Sequence, residues 1–403
     1  MSPLYERGES DVTKRLAAIV LVLVLCLGLA ACGDSDSTQE VHKIGVIVYS
    51  LSDEEVIGFR EYLKGYIEKA FELVEFVYSD AILTEDQELA FIQNACDQGV
   101  EGFMSFRTFN LKAEVELCEK NQAYYMLASG TVDDEEFDSV ADNPWFLGMF
   151  GPGIELEYQA GLNMSKFFAK EFNARSFFLL SGGASAGNEM HYQRALGMLS
   201  GLSTLAGVTY GRPTEELAAV TETTVVSAGP YTVTIVPGYM SVDESRAKAI
   251  NVYSNGTFDA VLATLSIGDF APVIRNSKLG MVDSYNSRCL QMFTGGKLHY
   301  LVGKYSSSVG PAFALMFNAL TGYAEDFRKE GKAVKAAQSF WVSEDADDFN
   351  TKYALSQSET MNAYNFGDLS SVCKAFNKDA DLVHLIALAQ ASSYESVLAR
   401  RAG

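Results

Sequence analysis

The chain has 403 residues, 48% of them hydrophobic, and carries 52 acidic against 31 basic side chains for a formal net charge of −21. A surface that acidic repels phosphate backbones and offers no counterion release, which excludes nucleic acid as a partner and disfavours an anionic ligand outside a local basic pocket. The length exceeds what one hydrophobic core serves well, so two domains are expected.

The start reads as a processing signal. Lys14 and Arg15 precede an apolar run from Leu16 to Leu29, which is too short for a permanent membrane span. Leu29-Ala30-Ala31-Cys32 then has the form of a lipobox: small residues suit a peptidase cleft, and the Cys32 thiol is the expected acyl acceptor. Residues 1–31 are therefore expected to be removed, leaving a chain lipid-anchored through Cys32 on the extracytoplasmic face of the cell membrane. Residues 32–41 are small, polar and acidic, a composition expected of a flexible tether. Beyond the signal stand Cys96, Cys118, Cys289 and Cys373, with no Cys-x-x-Cys or Cys-x-x-His spacing. Buried thiols are expected, with no metal and no cofactor, and their pairing stays open.

From Lys43 strands and helices alternate. Lys43 to Leu51 is apolar and β-branched; Val56, Phe59, Tyr62, Leu63, Tyr66 and Ile67 then recur at helical spacing across Glu54 to Phe71. Strands are expected at 73–78, 102–106 and 123–128, with helices at 85–98 and 111–120 between them. After a strand at 146–150 and the turn Gly151-Pro152-Gly153, the pattern restarts with a helix over 155–172, a strand over 176–181 and a helix over 188–205. A hairpin or longer strand pair around Ala228-Gly229-Pro230 follows, then a helix at 244–253 and strands at 259–264, 279–283 and 299–305. A helix at 309–321, a short strand at 338–342 and helical tail segments at 345–355 and 381–390 complete the reading. Strands separated by helices of this length imply right-handed crossovers and parallel sheets. The pattern gives an α/β fold with two doubly wound lobes, and no short-period repeat.

The texts IGVIVYSLSDEE and SGGASAGNEMHYQRALGML resemble those of type I periplasmic binding proteins, which include the sugar receptors of ABC importers. The resemblance covers Lys43 to about Gly322. It implies two Rossmann-like lobes joined by a multi-strand hinge, with a ligand held by loops at the carboxyl ends of the strands. One lobe would take 42–150 plus about 305–333, the other 151–304 plus about 334–403. It further implies ligand contacts from Tyr49, Ser50 and Asp53 on the first strand-to-helix loop and from Ser129 after the fourth strand. Arg194, which with Gly197 forms Arg-x-x-Gly, Asp283 at a strand end, and Tyr305 at the last crossing complete that set.

Chemistry supports a sugar beside the resemblance. A carboxylate and a guanidinium each engage vicinal hydroxyls in a bidentate manner, and Asp283 with Arg194 is such a pair, with Asn188 and Glu189 adding donors and acceptors. Sugar C–H faces pack on aromatic rings, which Tyr49, Phe106, Trp145 and Tyr285 offer. With 25 Phe and 20 Tyr, most aromatic residues belong to the core, and Asp53 before a helix is also placed as an N-cap.

Gly183-Ala184-Ser185-Ala186-Gly187 spells Gly-x-Ser-x-Gly between a strand and a helix, as a serine esterase using Ser185 requires, with Asp283 and then His299 or His384 in chain order. His299 lies inside an expected strand and His384 on an apolar helix face, so both read as structural. His191 has no partner histidine at helical spacing and reads as a surface or cleft residue. The expectation is a non-enzymatic solute-binding protein that captures a small polar ligand, a sugar, and meets ABC permease and ATPase subunits. A nucleoside or signalling molecule is the alternative ligand.

Overall fold

The computed structural model describes residues 41–182, 189–240, 243–357 and 363–402. The signal, Cys32, the tether to residue 40, Ser185 and Asn188 lie outside the described residues.

β1 (His42–Val48) leads through Asp53, whose carboxylate accepts the N–H groups of Glu55 and Val56, into α1 (Glu54–Tyr62). The helix continues through a π turn, Leu63–Ile67, into α2 (Glu68–Phe71), which ends at Glu72 in the left-handed conformation. β2 (Val74–Ala81), α3 (Glu85–Cys96), β3 (Val100–Ser105), α4 (Leu111–Lys120), β4 (Tyr124–Leu127), α5 (Asp134–Asp138) and β5 (Phe146–Gly151) follow. Thr84, Asn110 and Asp133 each cap the next helix with a side-chain oxygen, which fixes where the strand-to-helix loops stop.

The second array is α6 (Ile154–Glu171), β6 (Ser176–Ser181), α7 (Glu189–Ala206), α8 (Thr214–Ala218), the hairpin β7 (Thr224–Ala228) and β8 (Tyr231–Pro237), α9 (Asp243–Ser254), β9 (Ala260–Ala263), β10 (Lys278–Ser284), α10 (Ser287–Thr294) and β11 (Tyr300–Lys304). The remainder is α11 (Gly310–Asn318), β12 (Val334–Ala337), β13 (Trp341–Ser343), α12 (Ala346–Ser356), α13 (Phe366–Ser371), α14 (Leu382–Gln390) and α15 (Tyr394–Ala402).

Two sheets result. The first has the order β12-β5-β4-β3-β1-β2 and is parallel throughout; the second has the order β13-β11-β10-β9-β6-β8-β7, parallel except at its two edges. Both sheets are covered by helices, so their central strands are buried on both faces and read as continuous apolar runs such as FFLL in β6. The fold is α/β with two lobes, as the alternation implied.

Three chain segments cross between the sheets: from β5 into α6, from β11 towards α11, and from β12 to β13. Gln338 ties them together. Its N–H donates to Gly151 O at 2.9 Å and its side-chain amide to Ser308 O at 2.8 Å.

Two expectations need correction. The strand expected at 338–342 is Trp341–Ser343, antiparallel to β11, and a strand with no counterpart in the expectation, Val334–Ala337, precedes it and pairs with β5. The tail is also not confined to the second lobe. α12 packs on α10 and β13, but the Tyr62 hydroxyl donates to Tyr364 O at 2.8 Å, and the Asn318 amide donates to Val372 O at 2.9 Å. Phe71 meets Phe366 at 5.1 Å, while Tyr394 packs on Trp341 of β13 at 5.5 Å, so the tail from 363 touches both halves. Short strands rich in Lys and Ala carry little periodicity, and only pairing partners decide which sheet they join.

Candidate functional site

In a parallel sheet the loops that can face a ligand stand at the carboxyl ends of the strands. Here those ends meet across the crossing region. Lys304, the last residue of β11, is buried, and its ammonium donates to Ser129 O at 3.2 Å, to Ser129 Oγ at 3.1 Å and to Glu55 Oε1 at 3.2 Å. One second-lobe cation thus joins the β4 end and the α1 start of the first lobe.

Around it the first lobe presents Tyr49, whose hydroxyl donates to Asp53 Oδ1 at 3.3 Å. Burial, then Glu55, Asp53 and Asp283, push the Tyr49 phenol well above its usual range. The Glu55 carboxyl is raised by burial, an effect that Lys304 opposes.

Asp283 ends β10 with only 9% of its surface exposed. Its Oδ2 accepts from Ser266 Oγ at 2.6 Å and its Oδ1 from the Ser284 N–H at 2.7 Å. Burial pushes its carboxyl up to about 7; the Ser266 bond opposes this and the charge of Asp53 adds to it. A buried acid near neutrality both donates and accepts, which suits hydroxyl groups.

Arg194 does not stand free. Its Nε and one terminal nitrogen donate to the two oxygens of Glu157 at 2.5 and 3.0 Å, and its other terminal nitrogen donates to Thr264 O at 2.7 Å. The Arg-x-x-Gly spacing has a packing cause. A Cβ on Gly197 would sit 2.0 Å from Tyr158 O, and one on Gly161 would sit 2.0 Å from Arg194 O. Two glycines let α6 and α7 touch backbone to backbone, and that brings Arg194 to Glu157. His191, a turn earlier on α7, is neutral: burial, then Arg194 and Lys304, lower its pKa to about 3. Its Nδ1 is buried without a hydrogen-bond partner and lies against Gly182 at the end of β6.

The other expected residues divide by position. Ser50 Oγ accepts from the N–H groups of Ser52 and Asp53, closing the turn into α1. Glu189 opens α7 and accepts from the Gln193 amide at 2.7 Å. Phe106 is buried against Phe59 at 4.8 Å. Tyr285 and Tyr305 fill the crossing instead of lining the strand ends. Tyr285 stacks on Phe349 and shares a hydrogen bond with Ser343; Tyr305 stacks on Trp341 at 4.1 Å and donates to Ser392 O. Trp145 precedes β5, at the opposite end of the strands from these loops.

Glu55, Lys304, Ser266 and His191 are the groups sequence reasoning passed over or left unassigned. A lysine closing the apolar strand YLVGK was the available signal for Lys304. A further buried pair supports the loop after β3. Glu114 accepts from the Phe109 and Asn110 N–H groups at 2.9 Å each and from the Tyr125 hydroxyl at 2.7 Å. Burial, then Glu114, push the neighbouring Glu88 up to about 9.

A serine triad does not assemble from the described residues. His299 pairs in register beside the start of β10, with its backbone N–H on Leu279 O, so about 13 Å of strand separates it from Asp283. His384 is exposed and bonded to Asp381 on α14. Among the described residues no His, Cys, Asp or Glu group is placed to hold a metal, and no helix is long and apolar enough to cross a membrane. A cavity of about 370 Å³ between α1 and the edge strand β2, lined by residues that include Val48, Ile57, Arg60, Lys64 and Tyr78, belongs to one lobe alone.

No family model and no curated protein matches the chain. Solved structures do match it. An ABC transporter solute-binding protein from Bacillus halodurans, with bound myo-inositol, aligns at a TM-score of 0.55 and 16% identity over 78% of this chain and 98% of its own. One from Actinobacillus succinogenes with bound D-allose aligns at 0.56 and 12%, over 77% and 99%. A galactofuranose-binding protein aligns at 0.57 and 11%, over 78% and 98%. At these identities the likeness is one of fold.

Proposed function

We propose that this chain, built on the fold of the sugar-binding periplasmic proteins, captures a neutral polyhydroxylated solute between its lobes and is the extracytoplasmic lipoprotein of an ABC importer. The observation that carries the reading is the polar set at the facing strand ends: Tyr49, Asp53, Glu55 and Ser129 from one lobe, Ser266, Asp283 and Lys304 from the other. Such a set offers paired donors and acceptors, and its carboxyl groups outnumber its one cation, Lys304, which fits hydroxyl groups better than an anionic ligand. The proposed lobes are 42–150 with 305–337, and 151–304 with 341–357, with the tail from 363 against both. Closure would turn on the three crossings, with Gln338 as their common tie. Cys32 would carry the lipid, and a permease with its ATPase would receive the solute. No bond chemistry is implied.

The test is a thermal melt of the mature protein against monosaccharides, polyols, disaccharides, nucleosides and amino acids. A ligand at a hundred times its dissociation constant adds about 2.7 kcal/mol, a readable rise in midpoint. A rise with one sugar or polyol class is expected. A rise with nucleosides alone would refute the ligand class, and no rise with any solute would refute the binding reading.

A further inference from the structure

Three exposed apolar side chains of the described residues gather at one end of the first lobe: Tyr323 (37% exposed), Phe366 (36%) and Phe376 (47%). This is the end where the parallel strands start and the helices that follow them finish, opposite the Lys304 site. Phe366 and Phe376 lie 5.6 Å apart, and both meet the ring of Phe71, at 5.1 and 5.6 Å. Lys374 extends over Tyr323 at 5.7 Å. A contiguous aromatic surface of this kind is costly to leave in water and marks a contact site.

The position of β1 says what covers it. The His42 N–H donates to Leu73 O at 2.8 Å, and Leu73 is two residues from Phe71, so the chain enters the fold beside the patch. Ten Cα steps separate Cys32 from His42, and whatever their conformation they reach no further than about 36 Å. An acylated Cys32 would tether the fold at this end, within that reach of the bilayer.

We infer that the Tyr323–Phe366–Phe376 surface rests on the headgroup region of the membrane that holds the lipid anchor, as a second, shallow contact. Half-exposed aromatic rings suit the boundary between apolar chains and water, and the Lys374 ammonium, bonded to Asp326 beside the Tyr323 ring, sets a paired charge at the rim of the patch. The net charge of −21 points to zwitterionic rather than anionic lipid. The inference rests on the proposed acylation of Cys32. The contact leaves the Lys304 site, at the other end of the strands, free for solute.

The test uses the full membrane-extracted protein reconstituted in phosphatidylcholine vesicles with brominated acyl chains. Phe376→Trp is the probe, and Leu83→Trp, exposed at the cleft end of the same lobe, is the control. Emission is read as the difference from the parent protein. The probe is expected to shift to the blue and lose roughly half its emission to the bromines, while the control loses little. Intact mass reads the acyl group on Cys32 separately. An acylated protein whose two probes quench equally, or not at all, overturns the membrane contact and leaves the anchor standing. An unacylated protein overturns both. A dimer in detergent-free sedimentation that Phe376→Ser dissolves would assign the surface to a second copy and also overturn the inference.

Discussion

Replacing Arg194 with alanine tests the helix pair on which the second lobe's side of the site stands. The substitution removes two charge-assisted bonds to Glu157, a residue with no exposed surface, and one bond to Thr264 O. Glu157 would then be a buried carboxylate without a partner, a defect that costs about 3–5 kcal/mol. The compact unit from His42 onward has some 360 residues. At about 2.1 cal/mol/K per residue its unfolding entropy is about 0.75 kcal/mol/K, so the melting midpoint should fall by about 4–7 °C. Calorimetry on the mature protein reads this directly. Glu157→Gln combined with Arg194→Met should recover much of the loss, since no buried charge then remains. If Arg194→Ala melts within a degree of the parent while ligand binding collapses, Arg194 is a ligand contact and the strut argument is wrong.

Asp283 gives a pH dependence. Its carboxyl is raised to about 7 by burial, so the folded chain holds a proton that the unfolded chain releases near 4. Stability from this group is present at acid pH and falls as pH rises through that window. Urea unfolding of Asp283→Asn between pH 4 and 8 should show the decline flattened; an unchanged slope would place the titration elsewhere. Gly197→Ala drives a methyl to 2.0 Å from Tyr158 O, and should cost about 3 kcal/mol or more through separation of α6 from α7, read as a lower denaturant midpoint. Lys304→Met leaves Glu55 and Ser129 without the cation that joins the lobes. Solute affinity should fall by about tenfold or more, and small-angle scattering should show a more open particle; an unaltered affinity and radius would remove Lys304 from closure.

Much of the fold was legible in the sequence because it is written in local terms. The strand run Ser176–Ser181 and the helix Leu111–Lys120 have the bounds that periodicity assigns them, and apolar runs buried on both faces announce parallel sheets. Asp53 could be read as a cap because an N-cap depends only on the next three residues. What the sequence could not place depends on partners far along the chain. Val334–Ala337 gives no strand signal until β5, 186 residues earlier, pairs with it, and the strand expected at 338–342 takes its place at Trp341–Ser343 from β11, 42 residues earlier. Tyr285 and Tyr305 carry the composition of a sugar site, yet stacking on Phe349 and Trp341 turns them into the crossing. Lys304 and Glu55 are unremarkable in the sequence and become neighbours of each other and of Ser129 only when the strand ends of two sheets meet. Backbone periodicity is a property of a dozen residues, whereas the charge balance of a buried site is a property of the whole fold.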